Sequence, residues 1–207
     1  MISLGYNPQQ PRNKDGEWGS GGGGRSSKGS KSNLGSGNAA VDSKISDIAS
    51  KRGSASIEHA YILSPSGKQL VYKKGKAREV NMTSAEYSKK KGNIAVHNHP
   101  GGCSFSSADI VNAHANSVKQ EWVVSKNFAY QITPNKKLCG TDVTGKRFDK
   151  MESKASSLRQ QAIRKWGPKY SSGKITKQHA EEEASHWINI KMAKTFKYKY
   201  KRVPLNA

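Results

Sequence analysis

The stretch that constrains this chain most is HNHPGGCSFSSAD, residues 97–109. Apolar Ile94 and Val96 lead into it, so residues 93–96 read as a strand that delivers His97 and His99 at its end. Pro100, Gly101 and Gly102 then turn the chain, and Ser106 followed by Asp109 has the outline of a helix capping box. The spacing predicts a helix over about 107–118. Residues two apart on a strand point to the same side, so His97 and His99 share a face while Asn98 looks away. Asp109, in the first helical turn, can reach back to them. Two imidazoles and one carboxylate form a three-ligand set suited to a catalytic zinc, with a fourth position open for water. Zinc so held lowers the pKa of its bound water from about 15.7 toward about 7.

The remaining elements follow from periodicity and turn chemistry. Residues 1–54 are rich in Gly, Ser, Asn and Lys, including the run GSGGGG at 19–24. Such a composition buries too little apolar surface to offset its ordering entropy and predicts a disordered tail or linker. Residues 57–63 and 69–74 alternate apolar and polar positions around a Ser-Pro-Ser-Gly turn, a hairpin pattern. A short strand over 78–82 and a helix over 85–91, capped by Thr83 or Ser84, are expected next. Residues 121–125 and 128–133 read as two more strands. Met151, Ala155, Leu158, Ala162 and Trp166 recur at helical spacing, and Gly167-Pro168 is expected to end that helix. A second helix over 175–196 carries Ala180, Ala184, Trp187, Ile188 and Met192 along one side, and Trp166 and Trp187 are expected to anchor the pair. Residues 197–207, KYKYKRVPLNA, read as a basic tail.

Amide hydrolysis also needs a proton carrier that is not itself a ligand. Glu58, followed by the apolar run at 60–63, is the best-placed carboxylate for that general acid/base role. Ser106 can donate a hydrogen bond to a developing oxyanion. The pattern Glu58, then His97-Asn98-His99-Pro100, then Ser106-Ser107-Ala108-Asp109 resembles the motif of the JAB/MPN (JAMM) metalloenzymes, closest to the RadC-like and phage or prophage branches. The resemblance covers residues 57–133. It implies an α+β, three-layer-like fold with a curved mixed sheet flanked by helices, and a zinc metallopeptidase or isopeptidase-like activity. On this likeness His97, His99 and Asp109 match the zinc ligands, Glu58 the general acid/base and Ser106 the oxyanion-stabilising serine. The segment from His99 to Asp109 is one residue shorter than the usual pattern. The loop at 101–105 must therefore be tighter, and Ser107 stands as the alternative to Ser106. The expected organisation is a tail at 1–54, a JAB/MPN-like metal-binding domain at 55–140, a helical extension at 141–196 and a basic tail at 197–207.

The formal net charge of +21, from 36 Lys and Arg against 15 Asp and Glu, favours contact with nucleic acid or another polyanion through the basic tails. A second expectation is therefore a nucleic-acid-associated or phage-assembly protein that carries a JAB-like domain without peptidase activity. The contiguous string HNH is not the signature of HNH nucleases, whose residues are spread over tens of positions. Cys103 and Cys139 form no CxxC pair, and Cys103 is expected to be a free buried thiol. His114 is expected on the surface or behind the ligands, His59 on the face of its strand opposite Glu58, and His179 and His186 at surface or packing positions. The segment at 6–18, YNPQQPRNKDGEW, resembles short segments of phage-encoded proteins. With no signal peptide or membrane-length apolar run, the expected setting is a bacterial host cytoplasm or a virion.

Overall fold

The computed structural model describes residues 34–77, 79–140 and 146–205. In chain order the elements are α1 (Ala39–Arg52), β1 (His59–Leu63), β2 (Gln69–Lys74), α2 (Ser84–Ser88), β3 (Ile94–Asn98) and α3 (Ser107–Ala115). Then come β4 (Gln120–Val124), β5 (Phe128–Thr133), a single 3-10 turn (Lys136–Leu138), α4 (Lys146–Ser171), α5 (Lys177–Phe196) and β6 (Lys199–Pro204). The strands form one mixed sheet in the order β2-β1-β3-β4-β5-β6. Every neighbouring pair is antiparallel except β3 and β4, which run parallel and are joined through α3. The architecture is α+β, as expected. No helix among the described residues is long and apolar enough to cross a membrane.

Strand periodicity sorts the side chains into two layers. Ile94, Val96, Trp122, Val124, Tyr61 and Leu63 face α1, whose Val41, Ile45, Ile48 and Ala49 lie on one helical stripe. Ala95, Val123, Tyr130 and Ile132 face the other way, against Ile110 and Ala113 of α3, Met151, Ala155 and Leu158 of α4 and Met192 of α5. The two C-terminal helices thus share the core of the segment at 55–140. Trp166 and Trp187 meet edge to face between them, at 5.7 Å, as expected.

Four expectations are corrected. The tail expected to run to residue 54 contains α1: Asn38 caps it by accepting from Ala40 N at 2.8 Å, and its apolar stripe is buried on the sheet. Residues 1–33 and the phage-like segment at 6–18 lie outside the described residues. The basic tail at 197–207 contains β6, which pairs antiparallel with β5 from Phe128↔Pro204 to Thr133↔Lys199. The strand expected over 78–82 is absent from described residues 79–82, because Lys76 N donates to Glu79 O and turns the chain off the sheet edge. Helix α4 continues past Pro168 to Ser171. A proline there loses its N–H bond and crowds the carbonyl four residues back, but it falls in the last turn, and Trp166 and Tyr170 on either side pack against α5.

Candidate metal centre

The site is built where β3 gives way to α3. His97 lies on the α3-facing side of β3, in alternation with Ala95, and His99 follows just past the strand, its N–H donating to Val124 O at 3.2 Å. Gly102 turns the loop with φ +76°, and a Cβ there would lie 2.8 Å from Glu182 Oε1, so both backbone and space call for glycine. Ser106 caps α3 and Asp109 closes the capping box. The Asp109 Oδ2 accepts from Ser106 N and from Ser106 Oγ, each at 2.7 Å. The same carboxylate therefore lies against the loop and the two histidines.

The three ligand atoms converge. His97 Nε2 and His99 Nε2 are 3.0 Å apart, His97 Nε2 is 3.6 Å from Asp109 Oδ1, and His99 Nε2 is 3.6 Å from Asp109 Oδ2. Each ring's other nitrogen fixes its tautomer. His99 Nδ1 lies 3.1 Å from the carbonyl oxygens of both Cys103 and Ser104. Carbonyls only accept, so Nδ1 carries the proton and Nε2 is bare. His97 Nδ1 faces Glu121 Oε1 at 3.4 Å, which assigns its proton in the same way. With both Nε2 atoms deprotonated, two lone pairs 3.0 Å apart beside a carboxylate repel unless a proton or a metal cation lies among them. Metal–ligand bonds of about 2.0–2.1 Å in a tetrahedral arrangement place ligand atoms about 3.3–3.4 Å apart. The observed separations lie on either side of that spacing. Among the described residues, His97, His99 and Asp109 are a group that could hold a metal ion.

Burial alone raises the Asp109 pKa, but His97, His99 and the Ser106 hydrogen bonds outweigh it and hold the carboxyl below its ordinary value. Burial lowers the His99 pKa and the neighbouring His97 adds to that, against Asp109. Burial also opposes charge on His97, yet Asp109 and Glu121 outweigh it and the net shift is upward.

Glu58 joins the site through strand register. Ala60 pairs with His97 at the end of the β1–β3 ladder, and Glu58, two residues before Ala60, is held in extended backbone by its N–H donating to Lys76 O and its carbonyl accepting from Gly75 N. Glu58 lies one residue ahead of β1, where the sequence placed it within the strand. With His97, Asp109, Tyr87, Lys90 and Glu121 it lines a cleft of about 220 Å³. Burial raises the Glu58 pKa, Asp109 and Glu79 add to the rise, and His97 opposes it. Asn98 does face away from the ligands, and its side chain is fully buried. Its Oδ1 accepts from His59 N at 2.7 Å and its Nδ2 donates to Ile57 O at 3.0 Å, so it grips the backbone on both sides of Glu58.

The two serines differ. Ser106 is exposed and its hydroxyl is engaged with Asp109, whereas the Ser107 hydroxyl donates to Glu152 of α4. Cys103 is free, and burial pushes its thiol up to about 11, with Glu181 and Glu182 adding to the shift. His59 stacks on Tyr72. His114 is fully buried rather than at the surface. Its Nδ1 lies 2.7 Å from Ile110 O and its Nε2 accepts from Asn135 N at 3.1 Å, so it fastens the chain after β5 to α3.

Sequence reasoning missed Glu121, Lys90 and Asn98. The signal for Glu121 was an acid inside the apolar strand QEWVV, although only the pairing of β4 beside β3 reveals that it faces His97. No protein-family model, curated protein or solved structure matches the chain.

Proposed function

We propose that the protein is a zinc-dependent amide hydrolase of the JAB/MPN type, acting on a peptide or isopeptide bond, and encoded by a phage or mobile element. The observation that carries this reading is the convergence of His97 Nε2, His99 Nε2 and an Asp109 carboxylate oxygen, with Glu58 lining the same cleft. Two imidazoles and one carboxylate are a donor set that zinc favours over magnesium or calcium, which prefer oxygen throughout. Bound there, zinc supplies Lewis acidity and an activated water. The chain's own groups do the rest. His97, His99 and Asp109 hold the ion. Glu58, whose burial favours its protonated form more than usual, accepts a proton on one side of the cleft and returns it to the leaving nitrogen. Ser106, whose hydroxyl donates to Asp109 Oδ2, stabilises negative charge on the substrate oxygen once that hydroxyl turns from the carboxylate to the substrate.

The test is metal analysis of wild type and Asp109→Ala after zinc loading and desalting, followed by a peptide-library cleavage assay on wild type and Glu58→Gln. Stoichiometric zinc in wild type, its loss in Asp109→Ala, and abolished cleavage by zinc-loaded Glu58→Gln are expected. A wild type that retains no zinc, or a Glu58→Gln variant that cleaves as wild type does, removes the proposal.

A further inference from the structure

Glu121 is the most deeply buried acid in the cleft, 3% exposed, and it lies in a strand whose next three residues are Trp122, Val123 and Val124. Removing a carboxylate from water to such a place is expensive unless its charge is answered. The answer here is partial. Oε1 lies 3.4 Å from His97 Nδ1 and 3.9 Å from Lys90 Nζ, and Oε2 has no hydrogen-bond partner among the described residues. Lys90 is itself buried, at the end of the turn after α2, with its ammonium 5.3 Å from the centre of the Tyr87 ring. A valine at 121 would continue the apolar strand at no such penalty. A purely packing role therefore does not account for the residue.

We infer that Glu121 is a positioning residue for the metal centre, acting through His97. Its carboxylate holds the proton on His97 Nδ1, so the Nε2 lone pair points at His99 and Asp109. The negative charge behind the ring also makes that nitrogen a better donor to a cation. Lys90 Nζ, 3.9 Å from Glu121 Oε1, sets a positive charge on the far side of the same carboxylate. His99 receives the equivalent orientation from two backbone carbonyls, those of Cys103 and Ser104. One ligand is thus set by the loop and the other by a side chain from the neighbouring strand. The inference rests on the proposed metal site and adds to it a residue outside the 97–109 stretch.

The experiment is a zinc competition titration, with a chromophoric chelator, of wild type, Glu121→Leu and Glu121→Gln, with thermal unfolding of each recorded alongside. Glu121→Leu is expected to weaken zinc binding by about 10- to 100-fold. Glu121→Gln keeps an acceptor for His97 Nδ1–H and is expected to recover most of that loss. Unchanged zinc affinity in a folded Glu121→Leu variant overturns the inference while leaving the metal site standing. A wild type that does not bind zinc overturns both. A second measurement needs no apolar replacement. In zinc-loaded wild type, the His97 Nδ1 proton is expected to give an exchange-protected imidazole resonance in NMR spectra that shifts in Glu121→Gln. A resonance that exchanges freely, or that the substitution leaves in place, also overturns the inference.

Discussion

Asn98 separates the two histidines and does its work on the opposite face of the sheet. The backbone register between β1 and β3 ends at Ala60↔His97, and one residue further on the Asn98 amide takes over. It pairs the His59 N–H and the Ile57 carbonyl, the groups that flank Glu58. Replacing it with alanine leaves the buried His59 amide without its acceptor. We expect Asn98→Ala to lower unfolding free energy by about 1–3 kcal/mol in urea titrations. The variant should retain zinc, because the backbone around His97 and His99 is still held by β4. Cleavage that depends on Glu58 should fall. A variant that loses zinc and keeps cleavage would contradict this division of labour. The ligand triad was legible in the sequence because all three residues come from one thirteen-residue stretch with strand and capping-box spacing. Glu58 became legible only through its likeness to a known motif, since its approach depends on strand register. The grip of Asn98 and the place of Glu121 depend on which strands become neighbours, which local pattern does not encode.

At the scale of elements, the joint between α5 and β6 holds the loop that carries the candidate ligands from behind. Ser104 N donates to Ser185 Oγ at 2.9 Å, Asn189 Nδ2 donates to Phe105 O at 2.8 Å, and the Tyr200 hydroxyl lies 2.9 Å from Ser104 Oγ. His186 Nδ1 completes the chain at 2.8 Å from the same Tyr200 hydroxyl. Burial, with Arg202 adding to it, lowers the His186 pKa to about 4. An unfolded histidine titrates near about 6.5. Between those values the unfolded chain binds a proton that the folded chain refuses. Stability from this group is therefore complete above pH 6.5 and declines as pH falls toward 4. Urea unfolding from pH 7.5 down to 5 should show wild type losing stability by at most about 1.4 kcal/mol per pH unit through this group. His186→Gln should flatten that part of the profile, and equal slopes in the two proteins would remove His186 as its source. The positions of β2, β4, β5, α3 and α5 were legible from apolar periodicity, within a few residues at each end. Helix α1 was not, because only Val41, Ile45, Ile48 and Ala49 carry its buried stripe within a Ser- and Lys-rich segment. Strand β6 was hidden by its charge: the alternation of Lys with Tyr198 and Tyr200 is a strand period, but the lysines made it read as a solvated tail.

Over the whole molecule, charge is segregated. The sequence holds 15 acids against 36 Lys and Arg, yet the cleft gathers Glu58, Glu79, Asp109 and Glu121 against one lysine, Lys90. An acidic cleft within a basic body attracts a cation to the site and polyanions to the outer surface. Exposed Lys150, Arg164, Lys165 and Lys169 of α4 and Lys191 and Lys194 of α5 contribute to that surface, on elements that supply none of the three candidate ligands. The two kinds of binding should therefore be separable. A fluorescent DNA duplex titrated with the protein is expected to bind at low salt, with affinity falling linearly on a log–log plot against salt. Each phosphate contact contributes a slope of about −0.9 to that plot. Asp109→Ala, which removes a metal ligand, should leave both affinity and slope unchanged. Replacing Lys150, Arg164, Lys165 and Lys169 with Gln should reduce the slope while leaving zinc content as in wild type. Affinity that ignores salt would show that the positive charge does not act through phosphate contacts. A slope that changes with Asp109→Ala would place the polyanion at the cleft, where four carboxylates already oppose it.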